Sequence, residues 1–143
     1  MRRSFYFILF ISLLSDFSCY AQPRNESGVE AAMKKYDRLI LKTNADSIAM
    51  LYSPDGELGN VATGRDSIRN FLNRFNNYKV LMQESKTSFI TINRDTAFQT
   101  GIYRQKVIIP SGDTVLVKGI FNAKWIWTKN VWEIKRMDTQ PSN

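Results

Sequence analysis

Apolar residues recur three and four apart at Val29, Ala32, Met33, Tyr36, Leu39 and Ile40, while Lys34, Lys35, Arg38 and Lys42 fall opposite them. That period predicts an amphipathic helix. Ser27 and Glu30 have the spacing of a capping box, which sets the expected start after a short flexible lead-in over residues 22–26. Asn44 is a second cap, for a shorter helix turning Ile48, Leu51 and Tyr52 inward, and Ser53-Pro54-Asp55-Gly56 is expected to stop it. Residues 57–61 read as a short strand. Thr63 then caps a third helix over residues 65–75, with Ile68, Phe71, Leu72 and Phe75 on one side.

From Tyr78 onward the period drops to two. Strands are expected at residues 80–84 running into 87–92, and at 96–109, with turns at Asn93-Arg94-Asp95 and Pro110-Ser111-Gly112-Asp113. Residues 114–138 form a hairpin about Lys129-Asn130 that holds all three tryptophans. A two-residue turn there puts Trp127 opposite Trp132 and Trp125 opposite Ile134. Alternation adds Phe121 and Ala123 to the same aromatic face and sends Glu133 to the other. Continued to the end of the strand, the same count places Asp138 on the aromatic side. Helices followed by an antiparallel meander specify an α+β domain with the helices on one sheet face. Leu116, Ile120 and Ile126 point away from that face among Lys118, Asn122 and Lys124, and a second copy of the chain is the expected cover, giving a homodimer.

The first residues read differently. Arg2-Arg3 precedes an apolar run over residues 5–14, too short to span a bilayer, and Cys19-Tyr20-Ala21 fits a small-residue cleavage pattern. Residues 1–21 are therefore read as a signal peptide and 22–143 as one domain, exported to a periplasm or the exterior, with Gln22 as the new N-terminus. Lipidation at Cys19 is the rival, but Asp16-Phe17-Ser18 lacks the aliphatic residue expected before a lipidated cysteine. Without its leader the chain has no cysteine, and it has no histidine anywhere. Those two absences exclude thiol and histidine catalysis and leave no usual transition-metal ligand set, so no metal and no cofactor are expected. The net charge is +7, and its cations lie on a helix face or are scattered. A solvated surface explains them better than a nucleic-acid interface, which would interleave them with exposed aromatics.

Residues 33–58 (MKKYDRLILKTNADSIAMLYSPDGEL), 64–72 (GRDSIRNFL) and the closing WIWTKNVWEIKRMD resemble the nuclear transport factor 2-like superfamily, in particular its SnoaL-like and ketosteroid-isomerase-like branch. The resemblance implies a cystatin-like cone, also describable as an α+β barrel: three N-terminal helices packed on a curved, mainly antiparallel sheet, with a pocket at the wide end. It also implies a catalytic set to look for. The tyrosine of that set matches Tyr36, at the family spacing from Tyr52. The position of the base falls on Asn60, which accepts no proton at neutral pH, and that of the second acid falls near Asn122 or Ala123. Isomerase-type proton transfer is therefore not expected.

The candidate pocket residues are Tyr36, Ile40, Tyr52, Asn60, Phe71, Phe75, Gln99, Tyr103, Phe121, Ala123 and Trp125, with Tyr36 the one catalytic candidate. Gln99 and Tyr103 share a strand face with Ala97 and would supply polar contacts to an apolar wall. The reading that fits best is an exported domain binding a small hydrophobic molecule without catalysis. Two others stay open: an enzyme pairing Tyr36 with Asp55, Glu57 or Asp138, and a dimeric protein-interaction module.

Overall fold

The computed structural model describes residues 22–142, so the signal-peptide reading of residues 1–21 lies outside the described residues. Three helices, α1 (Glu26–Leu41), α2 (Ala45–Ala49) and α3 (Arg65–Asn73), pack on one face of a six-stranded sheet. Its strands are β1 (Tyr52–Leu58), β2 (Ala62–Thr63), β3 (Lys79–Asn93), β4 (Thr96–Ile108), β5 (Thr114–Thr128) and β6 (Val131–Pro141). They lie in the order β2-β1-β6-β5-β4-β3, antiparallel throughout except where β1 runs parallel to β6. This is the α+β arrangement that the pattern of helices and then strands specified, in the cone that the resemblance implied.

The hairpin has the expected register. Trp127 faces Trp132 and Trp125 faces Ile134. Lys129 and Asn130 both have positive φ, 49° and 63°, as a two-residue turn with the right-handed twist of its strands requires. Trp127 and Trp132 meet edge to face with centroids 5.2 Å apart. Trp125, Trp132, Ile134 and Ala97 pack with Val29, Ala32, Ala49 and Tyr52 to fill the narrow end of the cone. Trp125 Nε1 donates to Gln99 Oε1 at 3.0 Å, and Gln99 Nε2 donates to Thr87 Oγ1 at 2.8 Å. This polar chain ties β5, β4 and β3 together through a core that would otherwise leave a buried carboxamide unpaired.

Beyond Ile134 the even alternation fails. Trp125 pairs with Ile134 but Lys124 pairs with Arg136, so Lys135 is the extra residue of a β-bulge. The bulge shifts every later side chain of β6 to the other face. Met137, not Asp138, is buried inside, and Asp138 lies outside on Arg136. The spacing Ile134–Met137 carried this signal, since two apolar residues three apart cannot share a face of a regular strand.

Further local expectations are corrected. The cap of α1 is Asn25, whose Oδ1 accepts from Gly28 N at 3.1 Å, and not Ser27. Gly28 is then free to meet the chain before it: a Cβ there would overlap the Pro23 carbonyl oxygen, which also accepts from Trp132 Nε1 at 3.2 Å. The lead-in, expected to be flexible, is docked on the hairpin, and Gln22 Oε1 accepts from Trp132 N at 2.9 Å. Next, α2 ends at Ala49, and Tyr52 opens a strand in place of closing a helix. The Ser53-Pro54-Asp55-Gly56 stretch is an irregularity inside β1, between its pairings Tyr52 with Ile134 and Glu57 with Arg136. Proline is tolerated there because the ladder is already broken. Finally, α3 is preceded by Gly64 at φ 83°, with no side-chain cap from Thr63, and it ends at Asn73, two residues before Phe75.

Candidate functional site

The wide end of the cone is not filled. It holds a cavity of about 410 Å³, open to solvent on one side, between the helices and the inner faces of β3, β4, β5 and β6. Met33, Tyr36 and Ile40 of α1 line one side, Phe71 and Leu72 of α3 another, and Val117, Phe121 and Met137 the sheet side. Helical spacing puts the α1 residues in one stripe, and strand alternation puts the β residues on one face, so the wall follows directly from the two periodicities. Phe75 stands between Phe71 and Tyr78 in edge-to-face contacts of 5.5 and 5.3 Å and is itself exposed.

Six of the eleven pocket residues read from the sequence meet here: Tyr36, Ile40, Phe71, Phe75, Tyr103 and Phe121. The other five do not line the cavity. Tyr52, Gln99, Ala123 and Trp125 belong to the packed narrow end, where Gln99 is spent on Trp125 and Thr87. Asn60 is exposed outside the cone and accepts from Arg136 Nη2 at 3.0 Å. Sequence reasoning had no way to divide one continuous apolar face into a solid half and a hollow half. It also missed Gln83, Ser85, Gln105 and Thr139, polar strand residues that reach the cavity. Gln83 and Gln105 lie opposite each other across β3 and β4, as do Ser85 and Tyr103. Their even spacing along the strands was the available signal.

Among the described residues, none that lines the cavity carries a carboxylate, an ammonium or a guanidinium. The carboxylates proposed as partners of Tyr36 are engaged elsewhere. Arg136 holds both Glu57 and Asp138. Asp55 is exposed and paired with Lys135; the hydrogen bonds from Lys135 and then Ser53 hold its carboxyl below the usual range. Asp46 is taken by Arg69, and Glu133 by Arg65 at 3.0 Å. Asp37, next to Tyr36 on α1, sits behind the wall and is bonded to Gln83 and Ser85.

The phenols are therefore the titratable groups facing the cavity. Burial pushes Tyr36 up to about 12, opposed by its contact with the Tyr52 hydroxyl and reinforced by the charge of Asp37. Burial also raises Tyr103, against a hydrogen bond with Thr139. Tyr52 is raised well above its ordinary value, first by burial and then by Tyr36, and its buried hydroxyl makes no well-formed hydrogen bond. A raised phenol is a neutral donor through the physiological range and a poor base.

The profile of the SnoaL-like domain matches residues 25–138, nearly the whole described chain. The chain belongs to the SnoaL-like family. This places it in the nuclear transport factor 2-like superfamily, in agreement with its cone. No curated protein matches it. Similar solved structures include a protein from Novosphingobium aromaticivorans provisionally named as a scytalone dehydratase, at 16% identity and a TM-score of 0.70, covering 81% of this chain and 83% of that one. A second, from Xanthomonas campestris, is provisionally named as a calcium/calmodulin-dependent protein kinase II association domain, at 19% identity and a TM-score of 0.70, with 84% and 89% covered. A third, from Mycobacterium tuberculosis and of unknown function, has 13% identity and a TM-score of 0.70, with 80% and 70% covered. Such different names on one SnoaL-like cone show the fold and leave function to the cavity.

Proposed function

We propose that this SnoaL-like domain binds a neutral, largely apolar small molecule in the wide end of its cone and performs no acid–base chemistry on it. The observation that carries the reading is the cavity of about 410 Å³, apolar over most of its wall and bordered by uncharged polar groups only. That volume is within the range of small-molecule sites. A charged ligand would lose its hydration there without gaining a counter-ion, so neutral molecules are favoured. Tyr36 is the orienting hydroxyl, and catalysis lacks a partner because the candidate carboxylates face outward.

The test is titration with N-phenyl-1-naphthylamine, a neutral probe that fluoresces in apolar surroundings. Saturable binding at one probe per chain is expected. Val117→Trp, which fills the cavity from the β5 wall, should weaken it by about tenfold or more, equivalent to about 1.4 kcal/mol, without lowering the melting temperature. Probe binding that ignores this substitution would place the apolar site elsewhere and end the proposal.

We also propose that the outer sheet face joins two copies of the chain. Leu116 and Ile120 are exposed and Ile126 is half-buried there, and Ile102 lies directly opposite Ile120 with Phe98 further along the same strand. An exposed apolar set of that extent on a small domain is the usual mark of an interface. Sedimentation should show a dimer that Ile120→Lys converts to a folded monomer; a monomeric wild-type protein at high micromolar concentration would refute it.

A further inference from the structure

We infer that the ligand of the cavity presents a hydrogen-bond donor, a hydroxyl or an amine N–H, to the β3 wall. The inference rests on the binding reading above and narrows it. Asp37 projects from α1 behind that wall. Its Oδ1 accepts from Gln83 Nε2 at 3.0 Å and from Ser85 Oγ at 2.7 Å, and its Oδ2 accepts from Ser85 N at 2.9 Å.

A carboxylate accepts and does not donate, so the direction of each bond is fixed by chemistry. The amide of Gln83 must turn its NH₂ toward Asp37, which removes the usual ambiguity of a glutamine side chain and leaves Oε1 as an acceptor not used by Asp37. Ser85 has one hydroxyl hydrogen and spends it on Asp37. Toward the cavity it has lone pairs alone. Gln83 retains one further N–H, so Ser85 is the stricter of the two.

A ligand carbonyl or ether placed on Ser85 would set acceptor against acceptor. A ligand hydroxyl would donate to Ser85 and could accept from Tyr103, which lies opposite Ser85 across the β3–β4 ladder and also lines the cavity. Gln105, opposite Gln83, is free to turn either way and adds no preference. Asp37 is thus a positioning residue. It sets the polarity of two groups that touch the ligand without touching it itself.

The experiment compares 9-fluorenol with 9-fluorenone, one tricyclic skeleton as alcohol and as ketone, by calorimetric titration of the full domain. The wild-type protein should bind the alcohol about tenfold tighter or more, the penalty of one buried unpaired acceptor. Asp37→Asn should reverse or erase the preference, because the new amide donates to Ser85 and frees its hydroxyl hydrogen for a ketone. Ser85→Ala serves if Asp37→Asn fails to fold: it should weaken fluorenol and leave fluorenone unchanged. Equal binding of both probes by the wild-type protein, or a preference that survives both substitutions, overturns the inference while the binding reading stands. Binding of neither probe overturns both.

Discussion

Replacing Trp125 with alanine should cost about 3–5 kcal/mol, the range for emptying a buried aromatic site, measured as a drop in the midpoint of urea unfolding at unchanged slope. Trp125 is 1% exposed at the narrow end of the cone, in one packed cluster with Ala97, Ile134 and Val29. The loss has two parts that can be separated. One is the cavity. The other is Gln99, which is 2% exposed and would lose the donor to its Oε1. Trp125→Phe keeps most of the volume but removes the N–H together with part of the ring, so it should cost about 1–3 kcal/mol for the unsatisfied carbonyl, plus a smaller cost for the lost volume. Adding Gln99→Leu removes the orphaned group and should recover part of that cost. If the double variant is no better than the sum of the singles, the Trp125–Gln99 bond does not stabilise the core and packing alone explains the tryptophan.

Gly101→Val should be nearly as damaging, at about 3 kcal/mol, the upper end of the usual cost of overpacking. A Cβ on Gly101 overlaps the Lys86 carbonyl oxygen of β3 and stands 2.6 and 2.8 Å from ring carbons of Phe121 on β5. The first obstacle is backbone and cannot swing aside. The second is a wall of the cavity, so relief at Phe121 would change the space available to a ligand. The variant should therefore unfold at lower urea and, where still folded, bind N-phenyl-1-naphthylamine less tightly. A variant with wild-type stability would show that β3 yields at its bulge between Thr87 and Phe89 more easily than the overlap implies. Gly101→Ala, carrying the same Cβ and no more, should show the same trend at smaller size.

These two sites mark the division between the halves of the cone, and the sequence reading was uneven across it. The tryptophan hairpin was legible from its turn to the Trp125–Ile134 pair because its register there depends on a two-residue turn and on alternation over a few neighbours. The same reasoning placed Asp138 inside, since a bulge looks like regular strand until its pairing is known. Tyr52 was read as helical because apolar spacing from Ile48 continues through it. The parallel pairing with β6, which makes it a strand, joins residues far apart in the chain. The pocket residues divided along the same boundary: Tyr36 and Phe121 reach the cavity, while Trp125 and Gln99, on the same faces, are consumed by packing.

By itself the sequence determined the helices-then-meander order, the α+β class, the hairpin register from its turn to Ile134 and the absence of histidine chemistry. Each of these follows from local periodicity, turn residues or composition. The tertiary structure alone decided where the cone is solid and where it is hollow, which face of β6 carries Met137, and that Asp37 meets residues 46 and 48 positions away at Gln83 and Ser85. Those outcomes depend on how distant segments share volume and hydrogen-bond donors. No short stretch of chain encodes them, because burial and pairing are properties of the packed molecule as a whole.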